Sequence, residues 1–209
     1  MTWLVALGLL DTGLPLVFAF PAVLDAAPTQ LVAARAALMT VLPVVVLLLS
    51  WLIPSNVKAM LVYWKRRNVL PGHEAFSKYG PADPRVDMAA LRKNVGALPE
   101  EPGEQNAFWY KLYRRVELET AVVDAHKMFL LWRDASALSL PLVIAVPLLL
   151  WWNGAGGKAA WIACAVFAGQ FLLTALAAQH AGTRFVCNVL AIHSTKRITT
   201  PAKVTSRAT

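Results

Sequence analysis

The chain has 209 residues, of which 57% are hydrophobic and only 15% charged, and its formal net charge is +8. Soluble domains carry about 25% charged residues. The apolar residues are concentrated in four stretches, which excludes an ordinary soluble domain and indicates an integral membrane protein. The two cysteines, Cys164 and Cys187, provide neither a disulfide framework nor metal-ligand spacing.

Four stretches of the sequence approach the roughly 20 apolar residues that a helix needs to cross the hydrocarbon core of a bilayer. They are residues 3–23, 36–54, 135–152 and 159–178. Short links join the first two and the last two, so each pair is expected to form antiparallel neighbours. The sequence therefore predicts an all-α membrane protein with two transmembrane hairpins, residues 1–54 and 135–178.

The distribution of lysine and arginine predicts the orientation. Residues 55–134 carry 13 of these cations and the residues after Ala178 carry five, whereas the two short links carry Arg35 and Lys158 alone. Because basic loops stay on the cytoplasmic side, we expect the insert 55–134 and both termini in the cytoplasm and the protein in the cytoplasmic (inner) membrane. The cations either only orient the chain or also bind lipid or an acidic partner.

The first half of the insert is expected to be helical only in part. The second span is predicted to continue as helix to Leu70 and to end at Pro71 and Gly72. From there to Gly103, repeated proline and glycine predict mostly loop, with one short helix at about residues 86–94. Residues 179–209 are interpreted as a basic juxtamembrane segment and tail. The candidate lipid-headgroup contacts are Lys65, Arg66, Arg67, Arg184, Lys196 and Arg197.

The second half of the insert, residues 105–134, contains no glycine or proline and predicts one long amphipathic helix that continues into the third span. Its apolar stripe packs either on the rest of the insert or on the same helix of a neighbouring subunit. The stripe is formed by Trp109, Leu112, Val116, Thr120, Val123 and Leu130.

Aromatic and basic side chains alternate at the start of this helix. They suit a docking surface for a soluble cytoplasmic protein, whereas nucleic acid is an unlikely partner because the chain has no nucleic-acid-binding motif. The candidate docking residues are Phe108, Trp109, Tyr110, Tyr113, Arg114 and Arg115.

Polar side chains inside the apolar stretches are candidates for an intramembrane site. Asp11 is a functional candidate because a carboxylate inside a bilayer is costly, and a structural, hydrogen-bonded role is the alternative. Gln170 and Thr174 lie one turn apart and either join two helices or line a pore. The full set of polar or pore candidates is Asp11, Thr12, Gln170, Thr174 and His180.

The sequence offers no catalytic or metal site. None of the four histidines lies three to five residues from another histidine or from a cysteine, so no local metal motif exists, and no cofactor fingerprint is present. We therefore expect no cofactor and no metal, and an enzyme is the weakest functional class.

Three functions are consistent with this pattern. The first is an oligomeric membrane effector or channel-like protein, for example in bacterial defence, whose cytoplasmic insert docks or senses a soluble partner. The second is a membrane anchor or assembly subunit that holds a soluble complex at the bilayer. The third is a membrane-bound enzyme that uses Asp11 or His126, for which no second catalytic group is found by spacing.

Overall fold

The computed structural model of this chain describes residues 52–152, 154 and 156–196. Within these residues every regular element is helical and no strand occurs. Two of the helices are long and apolar enough to cross a membrane, judged by length and composition. They contain the predicted spans 135–152 and 159–178. The predicted spans 3–23 and 36–54 lie outside the described residues, apart from residues 52–54.

The helices follow one another through short connections. In chain order the structure has α1 (Ser55–Tyr63), a run of helical turns (3-10 at Pro71–Glu74, π at Ala75–Tyr79, α at Gly80–Ala82), α2 (Met88–Val95), α3 (Pro102–Val116), α4 (Thr120–Trp152) and α5 (Gly156–Thr195). They divide into two compact units. The described part of the first unit is residues 52–64 and 130–178, and that of the second is residues 65–129 and 179–196.

In the first unit, α4 and α5 pack through an apolar core. Leu142, Val146 and Leu150 recur every four residues on α4 and pack with Phe167 of α5. Residues 135–152 of α4 would extend about 27 Å, which matches a hydrocarbon core about 30 Å thick. Large apolar side chains on both helices remain exposed, among them Ile144, Leu148, Trp151, Trp152, Trp161 and Leu173.

Three charged side chains of the first unit contact one another next to the apolar stretch of α4, residues 135–152. They are Lys58, Arg133 and Asp134. The Lys58 ammonium donates to Asp134 Oδ1 at 3.2 Å, and Arg133 donates to the same oxygen from Nε at 3.0 Å and from a terminal nitrogen at 2.9 Å. The Lys58 side chain is only 7% exposed. The ion pair therefore connects α1 to α4 at a buried position.

In the second unit, α3 is the central helix. It packs on the helical turns 71–82 and on the part of α5 after Ala178, whose side chains Val186, Val189 and Leu190 are fully buried. Asp87 is the N-cap of α2, and its side chain accepts hydrogen bonds from the N–H groups of Ala89 and Ala90 at 2.9 Å. Residues 179–195, interpreted from sequence as a juxtamembrane segment, are thus a core helix of this unit.

The long helix predicted over residues 105–134 is interrupted. α3 ends at Val116 and α4 begins at Thr120. In the turn, Glu119 N–H donates to Val116 O at 3.0 Å, and Leu118 is 89% exposed. The predicted continuity of α4 past residue 134 into the third span is confirmed, and α4 also passes through Pro141 and Pro147.

The turn at residues 117–119 changes which side chains face the core. The stripe predicted from an unbroken helix includes Thr120, which is exposed. The buried side chains at the start of α4 are instead Val122, Ala125 and Phe129. Tertiary packing therefore decides which side of α4 faces the core, because the burial of these residues stabilises the fold more than one unbroken helix across the turn would.

The first half of the insert is more helical than predicted. The short helix near residues 86–94 is confirmed as α2, but residues 71–82 form helical turns where loop was expected. Pro71 and Pro81 lie in the first turns of such helices, where a missing N–H costs no hydrogen bond. Proline here starts helical turns instead of ending them.

The expected continuation of helix to Leu70 is wrong. α1 begins after Pro54 and ends at Tyr63, and the next residue, Trp64, adopts a left-handed conformation with φ of 52°. The residues that follow, Lys65 to Leu70, form bends without a helix.

The ion pair in the first unit predicts unequal effects of removing its two partners. Asp134→Asn leaves the buried Lys58 ammonium without its carboxylate and should destabilise the protein by about 3–5 kcal/mol. Lys58→Met should cost less, because Arg133 still pairs with Asp134. Thermal denaturation in detergent, followed by tryptophan fluorescence, checks this order. A lower midpoint for Lys58→Met than for Asp134→Asn would contradict it.

Candidate docking surface

One face of α3 is buried in the second unit, and the opposite face is exposed. Gln105, Trp109, Leu112 and Val116 are buried, at steps of four, three and four residues. This spacing places them on one side of a helix with 3.6 residues per turn. The side chains on the other side of α3 form the surface available for docking.

The Gln105 side chain connects α3 to the helical turns 71–82. Its Oε1 accepts from Phe76 N–H at 3.0 Å and from the N–H and hydroxyl of Ser77, both at 3.2 Å. Its Nε2 donates to Glu100 O at 2.7 Å. Gln105 is only 1% exposed, so a single amide satisfies several backbone groups inside the unit.

Aromatic rings pack around Phe185 of α5. Its ring contacts Trp109 edge-on at 5.1 Å, Tyr113 edge-on at 5.2 Å and His126 in a stacked arrangement at 4.7 Å, measured between centroids. The Tyr113 hydroxyl lies 3.2 Å from His126 Nδ1, and burial raises the pKa of Tyr113. Of the two predicted docking residues in this cluster, Trp109 is buried in the core of the unit, whereas Tyr113 is half-buried and packs on Phe185.

The end of α5 is held by two hydrogen-bonded side chains. His193, fully buried, lies with Nε2 3.0 Å from Leu112 O, a distance at which the ring N–H donates to the carbonyl. Asn94, in the last turn of α2, donates from Nδ2 to the carbonyl oxygens of His193 and Ser194 at 2.9 and 3.2 Å. These contacts place the end of α5 beside the end of α2.

Ion pairs and hydrogen bonds of charged side chains form further contacts within the second unit. The Arg85 guanidinium holds the pKa of the Asp83 carboxyl well below its ordinary value and also donates to Asn188 Oδ1 at 3.1 Å. Burial opposes ionisation of Glu74, but hydrogen bonds from Lys65 and Lys78 outweigh it and lower the pKa of that carboxyl.

The exposed side of α3 carries aromatic and basic groups. Tyr110 is 53% exposed, and Lys111, Arg114 and Arg115 are exposed as well. Arg114 pairs with Glu117 at 2.5 Å. Tyr110, Lys111 and Arg114 are hereafter called the basic-aromatic face. Phe108, also a predicted docking residue, is half-buried and packs on Phe76 with centroids 5.7 Å apart.

A groove of about 340 Å³ lies next to this face. One wall is the non-helical segment after α2, residues 97–99, and the other is α3. It is lined by Ala97, Leu98, Pro99, Glu104, Ala107, Phe108 and Lys111. The groove combines an apolar floor with one acidic and one basic side chain.

The intramembrane candidates occupy different places. Asp11 and Thr12 lie outside the described residues. Gln170 donates from Nε2 to Ser139 Oγ at 3.2 Å, which joins α5 to α4 within the first unit, and the Thr174 hydroxyl lies 2.8 Å from Gln170 O of its own helix. His180 is exposed in the second unit. Gln170 and Thr174 are thus hydrogen-bonded neighbours on α5, whereas His180 belongs to the second unit.

The lipid-headgroup candidates also differ from one another. Lys65 pairs with Glu74, and Lys196 lies 3.9 Å from Glu119, so both cations have a partner within the second unit. The three other described candidates, Arg66, Arg67 and Arg184, are exposed, and Arg197 lies outside the described residues.

Among the described residues, no group of three or more histidine, cysteine, aspartate or glutamate side chains could hold a metal ion. Comparison with known protein families, with curated proteins and with solved structures finds no match to this chain.

Several residues that shape this surface were missed from sequence. Gln105 continues the buried stripe one turn before Trp109, and this spacing was the available signal. Phe185, His193 and the groove wall at residues 97–99 had no such signal, because their contacts join segments far apart in the chain.

Replacing Gln105 tests its role in positioning α3. Gln105→Met keeps most of the side-chain volume but leaves the N–H groups of Phe76 and Ser77 without an acceptor, which should cost about 2–4 kcal/mol of stability. Circular dichroism during thermal unfolding of the full chain in detergent measures the loss. Arg115→Met, on the exposed side of the same helix, is the control and should change stability little. Equal midpoints for the two variants would contradict this role.

Proposed function

We propose that this protein is a membrane anchor whose first unit lies in the bilayer and whose second unit docks a soluble cytoplasmic protein. The observation that carries the proposal is the division of α4 and α5. Each helix has an apolar stretch in the first unit, and each also contributes core residues to the charged second unit.

Exposed side chains of the first unit support its place in lipid. Trp152 is 90% exposed and Trp161 77% exposed, and aliphatic residues of α4 and α5 are exposed beside them. Such a surface is unfavourable in water and is normal where hydrocarbon is the solvent. Tryptophans on both sides of the connection between α4 and α5 are typical of the membrane–water interface.

The basic residues support a cytoplasmic second unit. The insert 55–134 and the residues after Ala178 hold 18 of the 20 lysines and arginines of the chain, as the sum of 13 and five. By the positive-inside rule, both regions then face the cytoplasm. Four spans with both termini in that compartment, in the inner membrane, complete this proposal.

The basic-aromatic face supports docking of an acidic protein surface. Tyr110 offers a large exposed ring, and Lys111 and Arg114 lie beside it on the same side of α3. Tyrosine and arginine are enriched among residues that dominate binding energy at interfaces. Because Trp109 is buried and Tyr113 is half-buried against Phe185, docking is assigned to the exposed Tyr110, Lys111 and Arg114.

Purification from the native membrane in mild detergent tests this function. We expect a soluble, acidic partner in a fixed ratio to the anchor. Tyr110→Ala with Arg114→Ala should reduce its recovery at least tenfold without lowering the thermal midpoint, because both side chains are exposed. Lys127→Ala, exposed on α4, is the control and should retain the partner. No partner at a fixed ratio, or full retention by the double variant, would argue against an anchor.

A channel-like oligomer is a second proposal. Its structural support is Gly169 on α5: apart from its chain neighbours and its own helix backbone, no atom of the described residues lies within 4 Å of the position a Cβ would occupy. Such a position allows another helix to approach closely. Ion flux into liposomes tests this function, with Asp11→Ala expected to change the conductance. Absence of conductance from the wild-type protein would exclude the pore.

A further inference from the structure

The groove beside the basic-aromatic face has an acidic entrance. Its lining includes Glu104, and Glu100 and Glu101 lie next to it in the chain, all three exposed. Neither Glu104 nor Lys111 forms an ion pair with another described residue. The three exposed carboxylates at this end of the groove, against the one cation Lys111 in its lining, leave a net negative charge there.

The wall of the groove formed by residues 97–99 also has backbone groups without a backbone partner. In the described part of the chain, the N–H groups of Ala97 and Leu98 and the C=O groups of residues 97–99 form no backbone hydrogen bond, and Pro99 has no N–H to donate. Leu98 and Pro99 are half-buried and form an apolar surface opposite Ala107 and Phe108. An extended peptide can bind such a wall through its main chain while its apolar side chains contact the floor.

Residues 197–209 of the same chain match this groove in charge and in composition. They contain Arg197, Lys203 and Arg207 and no acidic residue, and they include the apolar side chains Ile198 and Val204. The complementary charges favour binding, most strongly at low ionic strength.

The point at which this segment leaves α5 is close to the groove. Asn94 bonds to the carbonyl of Ser194 at 3.2 Å, and Ala97, the first residue of the groove wall, follows Asn94 by three residues. Three extended residues cover about 10 Å, and six residues beyond Lys196 cover about 20 Å. Lys203 and Val204 are therefore within reach of Glu104 and the apolar floor.

We propose that the groove between residues 97–99 and α3 binds the basic C-terminal segment, residues 197–209, of the same molecule. The segment binds as an extended peptide, with its cations at the acidic entrance and its apolar side chains on Leu98 and Phe108.

Disulfide formation in the full chain in nanodiscs tests this contact. In a Cys164→Ser background, one protein carries Ala107→Cys with Val204→Cys, and the control carries Ala89→Cys with Val204→Cys. Ala107 and Ala89 are both exposed alanines on helices. Ala89 precedes Asn94 by five helical residues, about 7.5 Å, so both sites are within reach of the segment.

We expect the Ala107 pair to form its intramolecular disulfide at least tenfold faster than the Ala89 pair. Adding Glu101→Gln and Glu104→Gln, or raising the salt concentration, should reduce that ratio towards one. A synthetic peptide of residues 197–209 should slow the reaction by competition.

Three outcomes would overturn the proposal. Equal rates for the two pairs would show that the segment has no preference for the groove. A fast Ala107 reaction that is insensitive to Glu101→Gln with Glu104→Gln would exclude the charge complementarity. A disulfide that forms only between two molecules would assign the groove to a second copy. Tryptophan fluorescence and thermal midpoints verify that the variants fold, so that a lost contact is not mistaken for unfolding.

Discussion

The packing of aromatic rings on Phe185 is the interaction on which the second unit depends. Phe185 belongs to α5, and its ring contacts Trp109 and Tyr113 of α3 and His126 and Phe129 of α4. Aromatic side chains bury large areas and favour edge-on and offset arrangements. α5 is thereby fixed to the consecutive helices α3 and α4 around one ring, and the orientation of α3 follows from this contact.

The orientation of α3 decides which side chains can take part in function. A helix has only one side to bury, and here that side contains Gln105, Trp109 and Leu112. Tyr110, Arg114 and the groove residues are then left on the accessible side. The aromatic residues at the start of α3 thus divide into core rings and surface rings, although the sequence places them within six residues of each other.

The two units use polar groups in different ways. In the first unit, the Gln170 to Ser139 hydrogen bond and the Lys58 to Asp134 ion pair join helices at positions where water is scarce. In the second unit, most charges are exposed, and the buried polar groups Gln105 and His193 bond to the backbone. This contrast is consistent with lipid around one unit and water around the other.

The sequence by itself determined the helical class, the apolar stretches within α4 and α5, and the short helix α2. Apolar length and helical periodicity are local properties, so they can be read along the chain. Only the tertiary structure decided that Trp109 is buried and Tyr113 packs on Phe185, that Val122 and Ala125 instead of Thr120 are buried at the start of α4, and that the end of α5 lies beside α2. The contacts of Phe185 with α3 and of Asn94 with α5 join segments far apart in the chain. Burial and hydrogen bonding between such distant segments have no local pattern, and for that reason the groove was visible only in the folded chain.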